Sequence, residues 1–255
     1  MPLVKTEAIV LAARPLGDTS KIVVLLTPRR GVVRAVAKGA RRPKGRLTGG
    51  SVPLRRIEAL LYVREGRELA VLSEAQVVWA PRELGSDWRR YLSAGRLLET
   101  ALAVSAEGDN PAADYHLLLD ALRLLEGGLD AGLVRLFYLR QLLANHGLWP
   151  ELGRCAVCGG TVEGAVDIDI AAGAAYHPEH APDAVRSLGA GSVRLLAGLH
   201  RPAVLRARQS REVVEGALDL VERLAAYHFD LRNRSAGLDA RAQALLDRPE
   251  DESPL

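Results

Sequence analysis

The sequence predicts an α+β protein: an N-terminal five-stranded OB-like β-barrel, then an α-helical bundle interrupted by a small inserted module. Three observations predict it. Over positions 1–80, short β-branched runs alternate with turn residues. From Pro81 onward the apolar period becomes helical. A break in that helical pattern, residues 149–188, carries both cysteines of the chain.

The barrel strands follow in order. Thr6–Leu11 ends at the turn signal Pro15-Leu16-Gly17-Asp18, and Ile22–Thr27 runs into Pro28-Arg29-Arg30-Gly31, a four-residue hairpin turn. Val32–Ala37 gives the third strand, residues 52–63 the fourth, and Leu69–Trp79 the fifth. The turn Arg64-Glu65-Gly66-Arg67 separates the last two. An OB-fold is the commonest five-stranded case, but periodicity leaves an SH3-like barrel open. Between strands three and four, Lys38–Arg46 and Thr48–Ser51 hold too many Gly, Pro and charged residues for a strand, which predicts a loop.

The helices follow. Trp88, Tyr91, Leu92, Gly95, Leu98 and Leu102 recur at i, i+3 and i+4. Asn110-Pro111 is an N-cap followed by proline at the first helical position, opening a second helix that ends at Gly127-Gly128. Asp130 caps a third, which stops at Gly147. Helices resume near 189–200 and at 211–231. The expected organisation is a basic domain over 1–80, a helical domain over 81–148 and 189–246, the inserted module over 149–188, and a disordered acidic tail over 247–255.

Charge is divided along the chain. The span 1–80 holds 15 Lys and Arg against six acids, a net of +9, whereas the span 81–255 holds 19 against 25, a net of −6. All four lysines lie at or before Lys44. A basic module joined to an acidic body points to a polyanionic ligand at one end and something else at the other. No apolar run is long enough for a membrane span, and the first residues lack a basic-then-apolar leader pattern. The expected compartment is the cytoplasm. Two cysteines spaced Cys-x-x-Cys exclude a disulfide scaffold and leave metal or redox chemistry.

Those cysteines, Cys155 and Cys158, are followed by a spacer over positions 159–176 and then by His177-Pro178-Glu179-His180. Two ligands three apart, a spacer and two more can place four soft or borderline donors around one tetrahedral ion, which zinc suits best. With four protein ligands the zinc is structural. Gly159-Gly160 supplies the tight turn, and Pro178 keeps the histidine pair out of a helix interior. Asp167 and Asp169 read as the solvent face of a short strand. His116, His146, His200 and His228 read as packing or capping residues.

The loop offers Lys38, Arg41, Arg42, Lys44 and Arg46, five cations in nine residues, with glycines that let a phosphate backbone approach closely. Arg29, Arg30 and Arg34 are candidates to extend that surface. The span 1–80 contains no Phe, one Tyr and one Trp, too few rings for a base-stacking platform. Binding through phosphates, neutral to sequence, follows. No Walker loop, paired carboxylates or Ser/His/Asp signature is present in the sequence, which favours a binding protein over an enzyme.

The residues also resemble a known family. Glu7–Leu11, Leu16–Lys21, Leu25-Leu26-Thr27, Gly31, Val36–Lys44, Leu72–Ala75 and Arg154–Gly159 are similar, in order, to the bacterial RecO family of DNA repair and recombination proteins. The resemblance implies an OB-fold, a helical bundle and a zinc-binding module. It also implies a recombination mediator that binds single- and double-stranded DNA, anneals strands, and works with RecR to load RecA on DNA coated with single-strand-binding protein. Lys38, Arg41, Arg42, Lys44 and Arg46 fall in the family's basic segment, and Cys155 and Cys158 match the first half of its zinc motif. His177 and His180 stand where relatives commonly have a second cysteine pair.

The acidic, apolar-ended tail of single-strand-binding protein would need an apolar groove edged by arginines. Arg201, Arg206, Arg208 and Arg211, between the last two long helices, are the candidates. Two other classes stay open. One is a zinc-ribbon, RNA- or transcription-associated binding protein. The other is a zinc hydrolase that keeps one coordination position free and relies on Glu179 or Asp169.

Overall fold

The computed structural model describes residues 2–63, 66, 68–105, 110–183, 185–229 and 231. Apart from Gly66, the expected turn at 64–67 lies outside the described residues, as do residues 232–246 and the tail 247–255.

Five strands form the N-terminal barrel: β1 (Leu3–Leu16), β2 (Ser20–Thr27), β3 (Gly31–Ala37), β4 (Arg56–Tyr62) and β5 (Leu69–Trp79). They close in the order β1-β2-β3-β5-β4, with β4 returning to β1. All barrel pairings are antiparallel except β3 with β5, where Arg34–Ala37 run beside Leu69–Leu72. This closure is OB-like and decides between the two barrels that periodicity left open. The 14-residue β1 serves two partners, β4 with its first half and β2 with its second, and bends at a bulge between Val10 and Ala12. β4 starts at Arg56 rather than at residue 52, because Pro53 lacks a donor and Leu54 sits at φ 69°.

Alternation along β1 sorts two cores. Ala8 and Val10 point into the barrel with Val23, Leu25, Ala35, Ile57 and Leu72. Ile9 and Leu11 point outward, where they join Leu26 and the helices. Both faces are therefore buried, which is why Ala8–Leu11 reads as a continuous apolar run.

The helices are α1 (Trp88–Val104), α2 (Pro111–Glu126), α3 (Ala131–Asn145), α4 (Ala190–Gly198), α5 (Pro202–Arg206) and α6 (Arg211–Phe229). The caps stand as read: Asn110 accepts from the Ala113 N–H and Asp130 from the Leu133 N–H at 2.8 Å. The short α5 was not anticipated. On α1 the buried face is Ala94, Leu97, Leu98, Ala101 and Val104, while Trp88 and Tyr91 are half exposed. The helical period was correct there, but the packed stripe is rotated off the two aromatic residues.

Glu7, Arg56 and Tyr115 link barrel to bundle. The Arg56 guanidinium donates to Glu7 at 2.6 Å and to the Tyr115 hydroxyl at 3.2 Å, and that hydroxyl donates to the other Glu7 oxygen at 3.1 Å. Between α3 and α4 lies a second sheet, β6 (Glu151–Cys155), β7 (Val166–Asp169), β8 (Ala174–Tyr176) and β9 (Arg186–Leu188), in the order β6-β8-β7-β9.

Candidate nucleic-acid interface and metal centre

The predicted loop between β3 and β4 folds as consecutive tight turns, with N–H to C=O bonds from Arg42 to Gly39, Gly45 to Arg42 and Thr48 to Gly45. Ala40 and Leu47 are buried in the barrel core and pin the loop at two points. Around these pins Lys38, Arg41, Arg42, Lys44 and Arg46 are all exposed. Arg41 fastens the loop to the β1–β2 turn: its backbone N–H donates to the Thr19 carbonyl and its guanidinium to the Gly17 carbonyl at 2.6 Å. A carbonyl leaves the cation's charge uncompensated, so the field stays available to an anion. Gly50 allows the loop's far end to lie on β5, since a Cβ there would stand 2.3 Å from the Ala75 methyl.

Two further cations stand at this pole, and the sequence reading missed them. The Lys21 ammonium reaches the Ser51 hydroxyl at 3.3 Å, and the Arg55 guanidinium donates to the Gly49 carbonyl at 2.7 Å. The signal was register: the pairing of Lys21 with Ala37 puts the start of β2 beside the end of β3. Arg29 and Arg30 are exposed at the β2–β3 hairpin tip, at the opposite end of a ribbon about 20 Å long. That tip is next to the helices, because a Cβ on Gly31 would lie 3.5 Å from the Ser105 carbonyl and 3.6 Å from Pro111. Arg34 lies exposed between the two ends. The eight cations thus run along one ribbon and do not form a single patch.

The second cluster is in the small sheet. Cys155 closes β6 and is buried; a tight turn with Gly159 at φ 69° brings Cys158 round beside it. His177 follows β8 and caps a one-turn 3-10 helix, Pro178–His180, so the pair occupies a single turn that proline opens. Cys155 Sγ lies 3.4 Å from His180 Nδ1, and Cys158 Sγ lies 3.4 Å from His177 Nδ1. All four ligand atoms are within 4.8 Å of one another. A tetrahedral ion bound by two thiolates and two imidazoles separates its ligand atoms by about 3.5 Å, so these residues could hold a metal ion.

Hydrogen bonding prepares the donors. His177 donates its Nε2 proton to the Thr161 carbonyl at 3.1 Å, which leaves Nδ1 with a free lone pair. Burial pushes the Cys155 thiol up, but backbone N–H groups of Cys158, His177 and Val157, with the His180 ring, outweigh it and bring the thiol down to about 6. Asp169 accepts from the Ala171 and Ala172 N–H groups, and Asp167 from the Ser187 hydroxyl, so both carboxylates serve local structure. Of the scattered histidines, His146 caps α3 and lies 3.2 Å from the buried carboxylate of Asp114. His116 packs edge-on against Tyr115 and His228 against Tyr227, while His200 lies beside Arg201.

A third feature is a groove of about 800 Å³ between the α2–α3 turn and the α5–α6 segment. Leu129, Leu133, Leu205, Val214 and Leu218 give it an apolar floor, and Arg206, Arg208 and Arg211 stand on its rim. Arg201 is not part of it.

Comparison with known proteins decides the family. The family model for the recombination protein O N-terminal region matches residues 1–80, and the one for the C-terminal region matches residues 85–236. The chain belongs to the RecO family. It is 35% identical to the DNA repair protein RecO of Frankia casuarinae, over 79% of this chain and 83% of that protein. It is 36% identical to the one from Bifidobacterium animalis subsp. lactis, over 73% and 78% of the two chains. Identity to the one from Thermobifida fusca is 40%, over 62% and 66%. Family membership ties the OB-like barrel of this RecO chain to DNA repair and recombination. Among the described residues, no helix is long and apolar enough to cross a membrane.

Proposed function

We propose that this RecO-family chain is a recombination mediator that acts on the nucleoid in the cytoplasm. It binds single- and double-stranded DNA mainly through phosphates, anneals complementary strands and, with RecR, helps load RecA on DNA coated with single-strand-binding protein. The observation that carries this reading is the far pole of the barrel. There Lys38, Arg41, Arg42, Lys44 and Arg46 are exposed on a loop whose backbone is pinned to the core. A pinned cationic loop without stacking rings screens two repelling strands and leaves their base edges free to pair. Lys21 and Arg55 extend the same contact, and Arg34 with Arg29 and Arg30 leads it along the ribbon toward the helices.

The Cys155, Cys158, His177 and His180 site takes a structural zinc ion, the metal that a set of two thiolates and two imidazoles suits best. The groove rimmed by Arg206, Arg208 and Arg211 takes the acidic, apolar-ended tail of single-strand-binding protein: its floor suits the apolar end and its rim the carboxylates.

Annealing of complementary single strands tests the central claim, with wild type compared against Lys38→Ala/Arg41→Ala/Arg42→Ala/Lys44→Ala. The wild type is expected to accelerate annealing. If it neutralises about five phosphates, its log affinity for single strands falls against log salt with a slope near −3.5. The variant is expected to lose annealing and most of that slope while staying folded, since all four side chains are exposed. Normal annealing by the variant would put the DNA path elsewhere; binding without annealing by the wild type would remove the mediator role.

A further inference from the structure

The arginine-rimmed groove has a candidate occupant in the same chain. Residues 247–255 read Asp247-Arg248-Pro249-Glu250-Asp251-Glu252-Ser253-Pro254-Leu255, four acids against one arginine, with an apolar pair closing the segment. We propose that this segment docks in the groove between the α2–α3 turn and α6 and competes there, in cis, with acidic peptides from other proteins. The proposal rests on the groove being an acidic-peptide site, and adds its regulation.

Charge selects the groove over its neighbour. Arg206 and Arg208 are exposed and form no ion pair among the described residues. The rim acids are already engaged: Asp130 accepts from the Leu133 N–H, and Glu215 holds Arg211 at 2.6 Å. A second cleft lies closer to the end of α6, beside Tyr227, but its Arg186 and Arg223 are both bound to Asp219, at 3.6 and 3.0 Å. An incoming carboxylate would have to displace Asp219 there, whereas at Arg206 and Arg208 it displaces only water.

The chain is long enough. The groove lies beside Arg211, Val214 and Leu218 in the first half of α6, a helix of 19 residues and about 28 Å. From Leu231, the last described residue, positions 232–246 lead to Asp247 and can span up to about 50 Å. Tethers of this length give effective concentrations of order 1 mM, enough to fill a site whose affinity for a free acidic peptide is about 100 μM. Pro254 and Leu255 then fall to the floor made by Leu129, Leu133 and Leu218, and the carboxylates to the rim.

The test uses the full chain and a fluorescein-labelled Asp-Asp-Asp-Leu-Pro-Leu peptide, followed by anisotropy at low salt. Three proteins are compared: wild type, the tail variant Glu250→Gln/Asp251→Asn/Glu252→Gln, and the groove variant Arg206→Glu/Arg208→Glu. The tail variant is expected to bind the peptide roughly tenfold more tightly than wild type, because the groove no longer has a tethered competitor. The groove variant is expected to lose binding. Equal affinity of wild type and tail variant, lost in the groove variant, overturns the docking of residues 247–255 and leaves the groove as an acidic-peptide site. No binding to the tail variant, or undiminished binding to the groove variant, overturns both.

Discussion

The barrel and the small Cys–His sheet are both built from β-strands, yet different forces hold them. The barrel closes on itself, and 13 buried apolar residues fill its interior. Closure removes the edges and satisfies the strand backbones, so the loop at one pole can give Ala40 and Leu47 to the core and still leave its charged side chains in solvent. The small sheet has strands of five, four, three and three residues, and β6 meets β8 only at Glu151 and Cys155. So little pairing cannot by itself offset the conformational entropy of about 40 ordered residues, although Val162, Val166, Ile168, Ala175 and Leu188 add burial against the core of the bundle. The proposed zinc ion would bind its two halves together through Cys155, Cys158, His177 and His180, whose ligand atoms all lie within 4.8 Å of one another. A region held by burial alone can spend its polar residues on binding, while one that also depended on metal ligands would have those side chains committed.

The sharpest way to break this comparison is to take the ligands away. Structural zinc in small modules contributes on the order of 10 kcal/mol, so chelation or Cys158→Ser should unfold the module and leave the barrel folded. The expected readings are about one zinc ion per wild-type chain by elemental analysis, and after chelation new protease cleavage within residues 149–188. DNA affinity should persist. A metal-free wild type whose module resists protease would mean that the four side chains merely pack together.

These two regions were legible in the sequence to different degrees. Ligand spacing is local, so Cys155, Cys158, His177 and His180 could be named without any fold. The basic loop was equally plain, because five cations in nine residues need no tertiary context. Lys21 and Arg55 were not legible. Each is a single isolated cation: Lys21 reaches the loop through the register of β2 with β3, and Arg55 through a bond back to Gly49. Arg56 is the clearest case: it follows Arg55 directly, yet turns the other way, to Glu7 and Tyr115. Partners 49 and 59 residues away leave no trace in a local pattern. The groove floor, drawn from residues 129–133 and 205–218, was hidden for the same reason. α6 buries Ala217, Leu220, Val221, Leu224 and Ala225 and turns Val214 and Leu218 to the groove, a division that the helical period alone does not make.

The junction between barrel and bundle offers a test of intermediate size. Tyr115 is fully buried, and burial pushes its hydroxyl above the usual phenol range, although Arg56 opposes that shift. The hydroxyl stays neutral and bridges a guanidinium and a carboxylate. Hydrogen bonds to charged groups contribute about 1.5–3 kcal/mol, and here Arg56 and Glu7 keep each other when the hydroxyl goes. Tyr115→Phe should therefore cost about 1–2 kcal/mol, read as a lower urea midpoint with an unchanged slope. DNA affinity should not move, because Tyr115 is itself buried and its loss leaves Arg56 paired with Glu7. A loss of affinity matching the loss of stability would show that the pole depends on the junction, and the separation of structural from binding cations would fail.

The smallest expected effect is electrostatic and concerns how the bundle receives the chain leaving the barrel. At the end of α2, the Glu126 carboxylate accepts from three consecutive N–H groups, Arg82, Glu83 and Leu84, at 2.6, 3.0 and 3.1 Å. Partial burial pushes its pKa up, but the three donors and the Arg82 charge outweigh this and hold it below the usual carboxylate value of 4.5. A depressed folded pKa stabilises the protein above the unfolded value, and the stabilisation is lost as pH falls from 4.5 through the lower folded value. Much of the group faces water, so solvent screening keeps the gain under about 1 kcal/mol. Glu126→Gln should be slightly less stable than wild type at pH 7, and the two urea midpoints should converge once the pH drops below the wild-type folded pKa. A gap that stayed constant across that window would show that the side chain acts by neutral hydrogen bonding, which the glutamine amide oxygen supplies less well to three donors.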